Sequence, residues 1–507
     1  MKPRIRVPAG FDWRTAAPAD RSRVMASFEA TQGRRRLASW RPTSSHVNAI
    51  LSASGSSLRN RARDLVRNNA YAASASDCFV ANTVGAGIVP RSRAPERWMR
   101  EAIQRAWEQW VLRADVTERS DFYGLQVLVV RALFDAGEAF VRPLVGPVVD
   151  SAGGVPLRLQ VLEADQVPID DTRPLGDGRV VRCGIEMDLD GRRLAYHVYR
   201  QHPGDAQAIL AGAETVRVPA DEMLHVYQLQ RPGQVRGIPW LTRAMVRLHL
   251  LDQYDDAELD RKKVAALIAG FIHTAAASDD LPGVTDADPE ADNAVLADWR
   301  PGTLMKLLPG EQVTFSEPAD VGGAYEQFQY RSLSAICSGM SLPYWTVTGD
   351  LRQANYSSLR AGLVEFRRRI EQLQHTVVVH QLCRPVWEMW LRTAIVAGAI
   401  PGLTPVLAAR RWQEIALVDW LPPKNDWVDP QKDVQAEVLE IQHGLKSRSQ
   451  AVAERGYDVE NVDAEQAADR ARERELGLVY GAAPNAAGGD RPEERPMDDV
   501  QPQEQAA

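Results

Sequence analysis

The 507-residue chain exceeds one ordinary domain and suits about two to four. Its 45% apolar and 25% charged content is ordinary for a soluble protein, and the lack of a run of about eighteen apolar residues argues against a membrane-spanning helix. The net charge of −7 is unevenly spread: residues 1–100 hold 18 Lys/Arg against 6 Asp/Glu, and residues 426–507 hold 9 against 19. The basic start, MKPRIRVPAGFDWR, lacks the apolar stretch of a secretory signal. Cys78, Cys183, Cys337 and Cys383 fit no zinc spacing and read as reduced, mostly buried thiols.

Residues 1–43 are Pro- and Arg-rich and read as an arm. Ser44 or Ser45 is a candidate cap for the folded part, and the apolar spacing from Leu58 to Val84 predicts one helix ending near Gly85. Pro95 suits the first turn of a helix carrying a Trp98, Ile103, Trp107, Trp110 stripe, which reads as core. A helix Phe122–Phe134 then feeds a strand Glu138–Leu144. Further strands are predicted at Leu157–Leu162, Val180–Met187, Arg193–Tyr199, Thr215–Val218 and Met223–Leu229, with Asp190-Gly191 as a tight hairpin whose two turn residues take positive φ. The first half is therefore α+β, with a mostly antiparallel sheet.

The second half is mainly helical. Leu241, Met245, Leu248, Leu251 and Tyr254 form one stripe, followed by a run of acids, Asp252, Asp255, Asp256, Glu258 and Asp260. Residues 274–302 are polar and turn-rich, and 303–315 read as two short strands about Pro309-Gly310. A helix Tyr325–Met340 follows. Leu359, Leu363, Phe366, Ile370, Leu373 and Val377 then mark a helix from Ser357 to Gln381, roughly 37 Å long, with a kink at Pro385. Three short helices close the folded part. They are signalled by Asp429-Pro430 and Gly444, by the Ser447–Gln450 capping box with a stop at Gly456, and by a stretch from near Asp463 to Gly477. Residues 481–507 read as a disordered acidic tail.

Catalytic and cofactor motifs are missing. There is no Walker-type phosphate loop, no H-E-x-x-H and no G-x-S-x-G. Gly85-Ala-Gly87 lacks the third glycine of a dinucleotide fingerprint. His375 and His380 do not share a helical face, and His197 and His202 straddle a strand end. The reading is no enzyme, no cofactor and no metal. Arg59, Arg61, Arg63, Arg67 and the triplet Arg34–Arg36 are candidate phosphate contacts, against a plainer reading as solvated or subunit-bridging surface.

Several segments, in order, resemble one family. They include Asn82-Thr-Val-Gly-Ala-Gly-Ile-Val-Pro90, Leu162-Glu-Ala-Asp165, Val235-Arg-Gly-Ile-Pro-Trp-Leu241, Leu308-Pro-Gly-Glu-Gln-Val313 and GMSLPYWTVTGDLRQANYSSLRAGLVEFRRR from Gly339 to Arg369. Their order over roughly 400 residues resembles the lambda-like family of tailed-bacteriophage portal (head-tail connector) proteins. The resemblance implies a ring, about twelve subunits, through which double-stranded DNA is packaged and ejected without sequence specificity. It implies a wing at 44–240, stem helices at 241–268 and 325–341, a clip at 269–324 and a tunnel loop at 342–357 facing DNA. A long helix and wing return at 358–425 and a helical crown at 426–480 complete it. Arg352, Gln353, Asn355 and Tyr356 are its candidate DNA-facing residues. Asp252, Asp255 and Asp256 are candidates for an acidic channel wall that would repel phosphates. Implied partners are the terminase large subunit, head-completion or adaptor proteins, and the major capsid and scaffold proteins, with no membrane. The implied location is the capsid portal vertex of a virion made in the host bacterial cytoplasm, with a phage or a prophage as the source. The stem helices of one isolated chain should be left exposed, because neighbours bury them. A non-conducting capsid or connector-associated protein, and a metal-free hydrolase using the acidic helix, are the competing readings.

Overall fold

The computed structural model describes residues 43–146, 154–205, 214–266, 270–274, 311–315, 324–352, 355–423, 430–455 and 457–478. The arm with Arg34–Arg36, most of the polar insertion, the Pro309-Gly310 turn, Gln353 and the tail lie outside these residues. The expected helix Leu58–Val84 is two helices, α1 (Val47–Asn68) and α2 (Ala70–Thr83). Asn69 separates them. Its extended backbone still donates to the Leu65 carbonyl and so closes α1, while its Oδ1 accepts from Ala72 N at 3.0 Å and opens α2. An Asn side chain offers the backbone this local alternative to helix. His46, rather than Ser44 or Ser45, caps α1 through Nδ1.

Strand β1 (Val89–Ser92) leads to α3 (Arg97–Val111). Glu96 is the cap, so Pro95 lies just before the helix instead of in its first turn. Trp107 and Trp110 are fully buried, packed with Phe122, Trp387 and Trp390 at centroid separations from 4.9 to 6.2 Å. Trp98 is 44% exposed, and Met99 takes the core position expected of it. Helix α4 (Phe122–Asp135), capped by Asp121, ends at Gly137 (φ +86) and feeds β2 (Glu138–Val145).

β2 is the centre of a three-stranded antiparallel sheet. It pairs with β3 (Leu157–Leu162) on one side. A five-stranded antiparallel meander follows: β4 (Arg173–Pro174), β5 (Val180–Arg182), β6 (Ile185–Met187), β7 (Arg193–Tyr199) and β8 (Thr215–Pro219). Then β9 (Leu224–Tyr227) returns to the other edge of β2. The expected strand Val180–Met187 folds back on itself, because Cys183 and Gly184 both take positive φ (52° and 81°) and make the tight hairpin there. Asp190-Gly191 is a wider loop. Only Gly191 is left-handed, and Asp188 Oδ1 holds the loop by accepting from the N–H groups of Asp190 and Arg192.

After one tight turn at Trp240–Arg243, α5 (Met245–Ala266) begins the helical half. Strands β10 (Gly270–Thr274) and β11 (Glu311–Phe315) form an antiparallel ribbon. Helices α6 (Ala324–Met340), α7 (Tyr344–Thr348) and α8 (Tyr356–Leu373) follow. The chain does not break at Pro385. It runs from α8 through a π-wound segment, Gln374–Cys383, into α9 (Arg384–Val396), with Pro385 in the first turn. There the Arg384 N–H reaches Val379 O, five residues back, and the wider wind accommodates the proline without a separate cap. Helix α10 (Pro405–Ile415) and β12 (Val418–Leu421, paired with β1) return to the core.

Helices α11 (Pro430–Gln442), α12 (Arg448–Glu454) and α13 (Val459–Leu476) complete the chain. The Ser447–Gln450 capping box is present, with both reciprocal bonds at 3.0–3.1 Å. α13 starts earlier than its expected Asp463, because Asp458 caps it by accepting from Glu460 N. Among the described residues no helix is long and apolar enough to cross a membrane. All four cysteines are free; Cys183, Cys337 and Cys383 are buried and Cys78 is half-buried.

Candidate functional site

Helices α5 and α6 lie against each other through an aromatic contact and the acids of α5. Tyr254 stacks on Tyr325 at 6.0 Å and meets Phe328 at 4.9 Å. Asp255 accepts from Tyr325 Oη at 2.9 Å and from Gln329 Nε2 at 3.4 Å. Burial, and the bond to the Asp255 carboxylate, push the Tyr325 hydroxyl up to about 12, so it stays a donor at neutral pH. Asp252 is exposed and accepts from Asn69 Nδ2 at 3.1 Å. Asp256 is exposed. Glu258 is held by Arg261 and Lys262 on its own helix and is no free acid.

The predicted loop is built on α6. Trp240 Nε1 donates to Met340 O at 2.6 Å and closes the end of α6. Gly349 ends α7 in the left-handed region (φ +70). Asp350 then takes Arg352 bidentately, at 3.0 Å from Nε and 2.9 Å from Nη2, and accepts from its backbone N–H. Arg352 Nη1 also reaches Glu326 on α6 at 2.9 Å. Hydrogen bonds from the Arg352 side chain and backbone hold the Asp350 carboxyl down to about 2. Asn355 is the cap of α8: its Oδ1 accepts from Ser358 N at 2.8 Å, and Ser358 Oγ answers its backbone N–H. Tyr356 is the first residue of α8. A cavity of about 470 Å3 opens between Glu326, Tyr330, Arg331, Tyr344, Asp350 and Arg352. Gly362 lets α8 approach α7, since a Cβ there would stand 2.5 Å from the Trp345 ring.

The structure thus brings Arg352 and Asn355 into one loop with α6, and gives each a partner within the chain. The α5 acids lie further along the same helix pair, with Asp252 and Asp256 exposed and Asp255 bonded. Two candidate phosphate contacts are otherwise engaged. Arg59 is 3% exposed and paired with Glu138 and Asp165, and Arg63 is paired with Asp165 at 2.7 Å and with Glu163 at 3.0 Å.

Sequence reasoning missed a heavily bonded group in the α+β half of the chain. Glu138, fully buried at the start of β2, accepts from Arg236 Nε, from Gly237 N at 2.8 Å and from His225 Nε2 at 3.0 Å. Arg236, also fully buried, donates onward to the carbonyls of Val167, Cys183 and Ala164 at 2.8–3.0 Å. With Arg193 facing its Nδ1, neutral His225 carries its proton on Nε2. Burial pushes Glu138 up, but Arg236 and His225 pull it further the other way, so it ends well below the usual carboxylate range. The one hint in the sequence is an acid, Glu138, opening a mostly apolar strand.

The features described are a helix pair, a pinned loop and a sheet braced by a buried ion pair. The model of the phage portal proteins of the lambda family matches residues 33–374. The chain is 29% identical to the probable portal protein of Halomonas phage phiHAP-1, over 96% of this chain and 95% of that one. It is 26% identical to the portal protein of Escherichia phage N15, over 91% and 93%, and 25% identical to portal protein B of Escherichia phage lambda, over 87% and 88%. Among solved structures it is similar to a chain in the neck of an empty gene transfer agent particle, at 15% identity and a TM-score of 0.44, covering 83% of this chain and 97% of that one. The chain belongs to the lambda family of phage portal proteins. It is a structural component of the virion, and the family is structural rather than enzymatic.

Proposed function

We propose that about twelve copies of this portal protein close into a ring around double-stranded DNA. The ring passes the duplex inward during packaging and outward during ejection. In this reading residues 44–240 are the outer wing and α5 with α6 the stem. The 269–324 segment, with the β10–β11 ribbon, is the clip that receives the terminase large subunit and later the head-completion proteins. Residues 342–357 form the tunnel loop, and 426–480 the crown, inside a shell of major capsid and scaffold proteins. Asp252 and Asp256 line the channel wall and keep phosphates from sticking. Arg352 touches the DNA backbone only after leaving Asp350 and Glu326.

The family match over residues 33–374 carries the reading. The stem supports it. Val246 and Leu250 on α5 and Phe328 on α6 are 50–70% exposed, apolar surface that neighbouring copies would bury. Negative-stain microscopy with native mass measurement tests the ring. Expected is a closed ring with an axial hole and a mass of about 674 kDa for twelve copies of the 56.2 kDa chain. Material that stays monomeric under assembly conditions would sink it. The acid wall has its own test: Asp252→Asn with Asp256→Asn should lower the DNA content of filled heads, and unchanged filling removes that role while leaving the ring intact.

A further inference from the structure

The three C-terminal helices join the body with almost no apolar contact. Among the described residues, neither cluster of buried apolar side chains includes any residue from 430 onward. Ala451 is the only buried residue described in α11–α13, and α13 buries none. Val438, Leu439, Leu445 and Leu476 are 45–81% exposed. Burial supplies the main adhesive between elements, and it is nearly missing at this seam.

Charge pairs take its place. Asp433 in the first turn of α11 meets Arg360 of α8 at 3.1 Å. Asp458, the cap of α13, meets Arg91 of β1 at 3.0 Å. Glu460, two residues on in the first turn of α13, takes Arg100 of α3 with both oxygens, at 2.7 and 3.5 Å. The helices are also tied to one another by charge: Glu437 of α11 accepts from Lys446 at 3.0 Å and from Arg455, and Arg448 of α12 meets Asp463 of α13 at 2.6 Å. The side chains of Arg91 and Arg100 are only 17% and 25% exposed under these acids.

We propose that these pairs form a clasp. Helices α11–α13 ride on the body as a separable piece, and the acids opening α13 occupy an arginine surface, Arg91 with Arg100, that the phosphates of duplex DNA take when the clasp opens. The exchange is like for like. A guanidinium trades one carboxylate for one phosphate, and no base is read. Three partly exposed pairs hold weakly and are screened by salt. A seam built of apolar contacts would instead tighten or stay unchanged in salt.

Hydrogen exchange on the full-length protein, as purified, tests this. Peptides from 459–476 are followed, with the β2–β3 sheet as internal reference. Raising NaCl from about 0.1 to about 1 M shortens the screening length from about 10 to about 3 Å. Exchange in α13 should then rise on the order of tenfold, as three weak pairs predict, while the sheet stays constant. Glu460→Arg should reproduce that rise at low salt, and adding Arg100→Glu should reverse most of it. A short random-sequence DNA duplex at fixed low salt should also speed α13 exchange in the wild type. Salt-independent exchange, or no effect of the Glu460 reversal, overturns the clasp. Opening by salt with no response to the duplex overturns the arginine surface. None of these outcomes depends on whether the protein is a ring.

Discussion

Replacing Arg236 with alanine should be among the most damaging single changes in the α+β half of the chain. Arg236 is fully buried, and its guanidinium serves Glu138 and three carbonyls from two separate segments, the Ala164–Val167 turn and the Cys183 hairpin. Without it, Glu138 is a buried carboxylate left with His225, Gly237 N and a more distant Arg59 at 3.4 Å. Breaking a buried ion pair from one side costs about 3–5 kcal/mol. The carbonyls of Val167 and Cys183 lose the Arg236 donor as well, which keeps the total at the upper end, since each unsatisfied buried acceptor costs about 1–3 kcal/mol unless water reaches it. Against a typical folding stability of about 5–15 kcal/mol, the α+β half loses a large share, and a fall in Tm of roughly 6–20 °C follows. Thermal and urea unfolding followed by circular dichroism measure it. Arg236→Met with Glu138→Leu is the control: with both charges gone and volume roughly kept, much of the loss should return. A single substitution costing under about 1 kcal/mol, or a double variant no better than the single, would refute the reasoning that Arg236 neutralises Glu138.

Acid should weaken the same network with a predictable sign. Burial lowers His225 to about 3, so between its ordinary value of 6.5 and about 3 the unfolded chain binds a proton that the folded chain refuses. Stability therefore falls with falling pH across that window, at up to about 1.4 kcal/mol per unit; His225→Gln should flatten the slope of unfolding free energy against pH, and an unchanged slope counts against it. Glu138 acts in the same direction lower down: its contribution is complete above its unfolded value of 4.5 and is lost as pH drops through its depressed folded value. Gly237→Ala should cost at least about 1–3 kcal/mol, because a Cβ there would overlap the Gly137 carbonyl, which is backbone and has nowhere to go; urea unfolding reads the loss. Gly362→Val should push Trp345 off α8, seen as a change in tryptophan fluorescence and faster protease cleavage near 349–355, with the circular dichroism of the body preserved.

Local chemistry carried most of the elements from residues to structure. The Leu157–Leu162 strand, the Ser447–Gln450 box and the Gly137 and Gly477 stops follow from short-range patterns, and all are observed. Departures occur where one side chain outweighed the pattern. Asn69 divided a continuous apolar stripe by capping inward, and Cys183-Gly184 turned within a stretch that reads as one strand. Pro385 failed to break its helix because the preceding ten residues took up a wider wind. The Glu138–Arg236–His225 network could not be read from spacing. Its members are 98 and 87 residues from Glu138 and meet only through the sheet register that sets His225 opposite Phe140.

The candidate site was legible in a different measure, and α5 explains why. Met245, Leu248 and Leu251 are buried within the chain, while Val246, Leu250 and Leu259 stand exposed on the same helix. A helix apolar on more than one side needs more than one burying surface, and a single chain supplies only the first. A pattern search finds the inward stripe because its period matches one partner. It reads the outward positions as ordinary surface, since isolated exposed apolar residues are common. Phe328 of α6, half exposed beside Tyr254, adds apolar surface to the same helix pair. Exposed apolar surface carried by two packed helices favours a second copy of this chain over solvent as its neighbour.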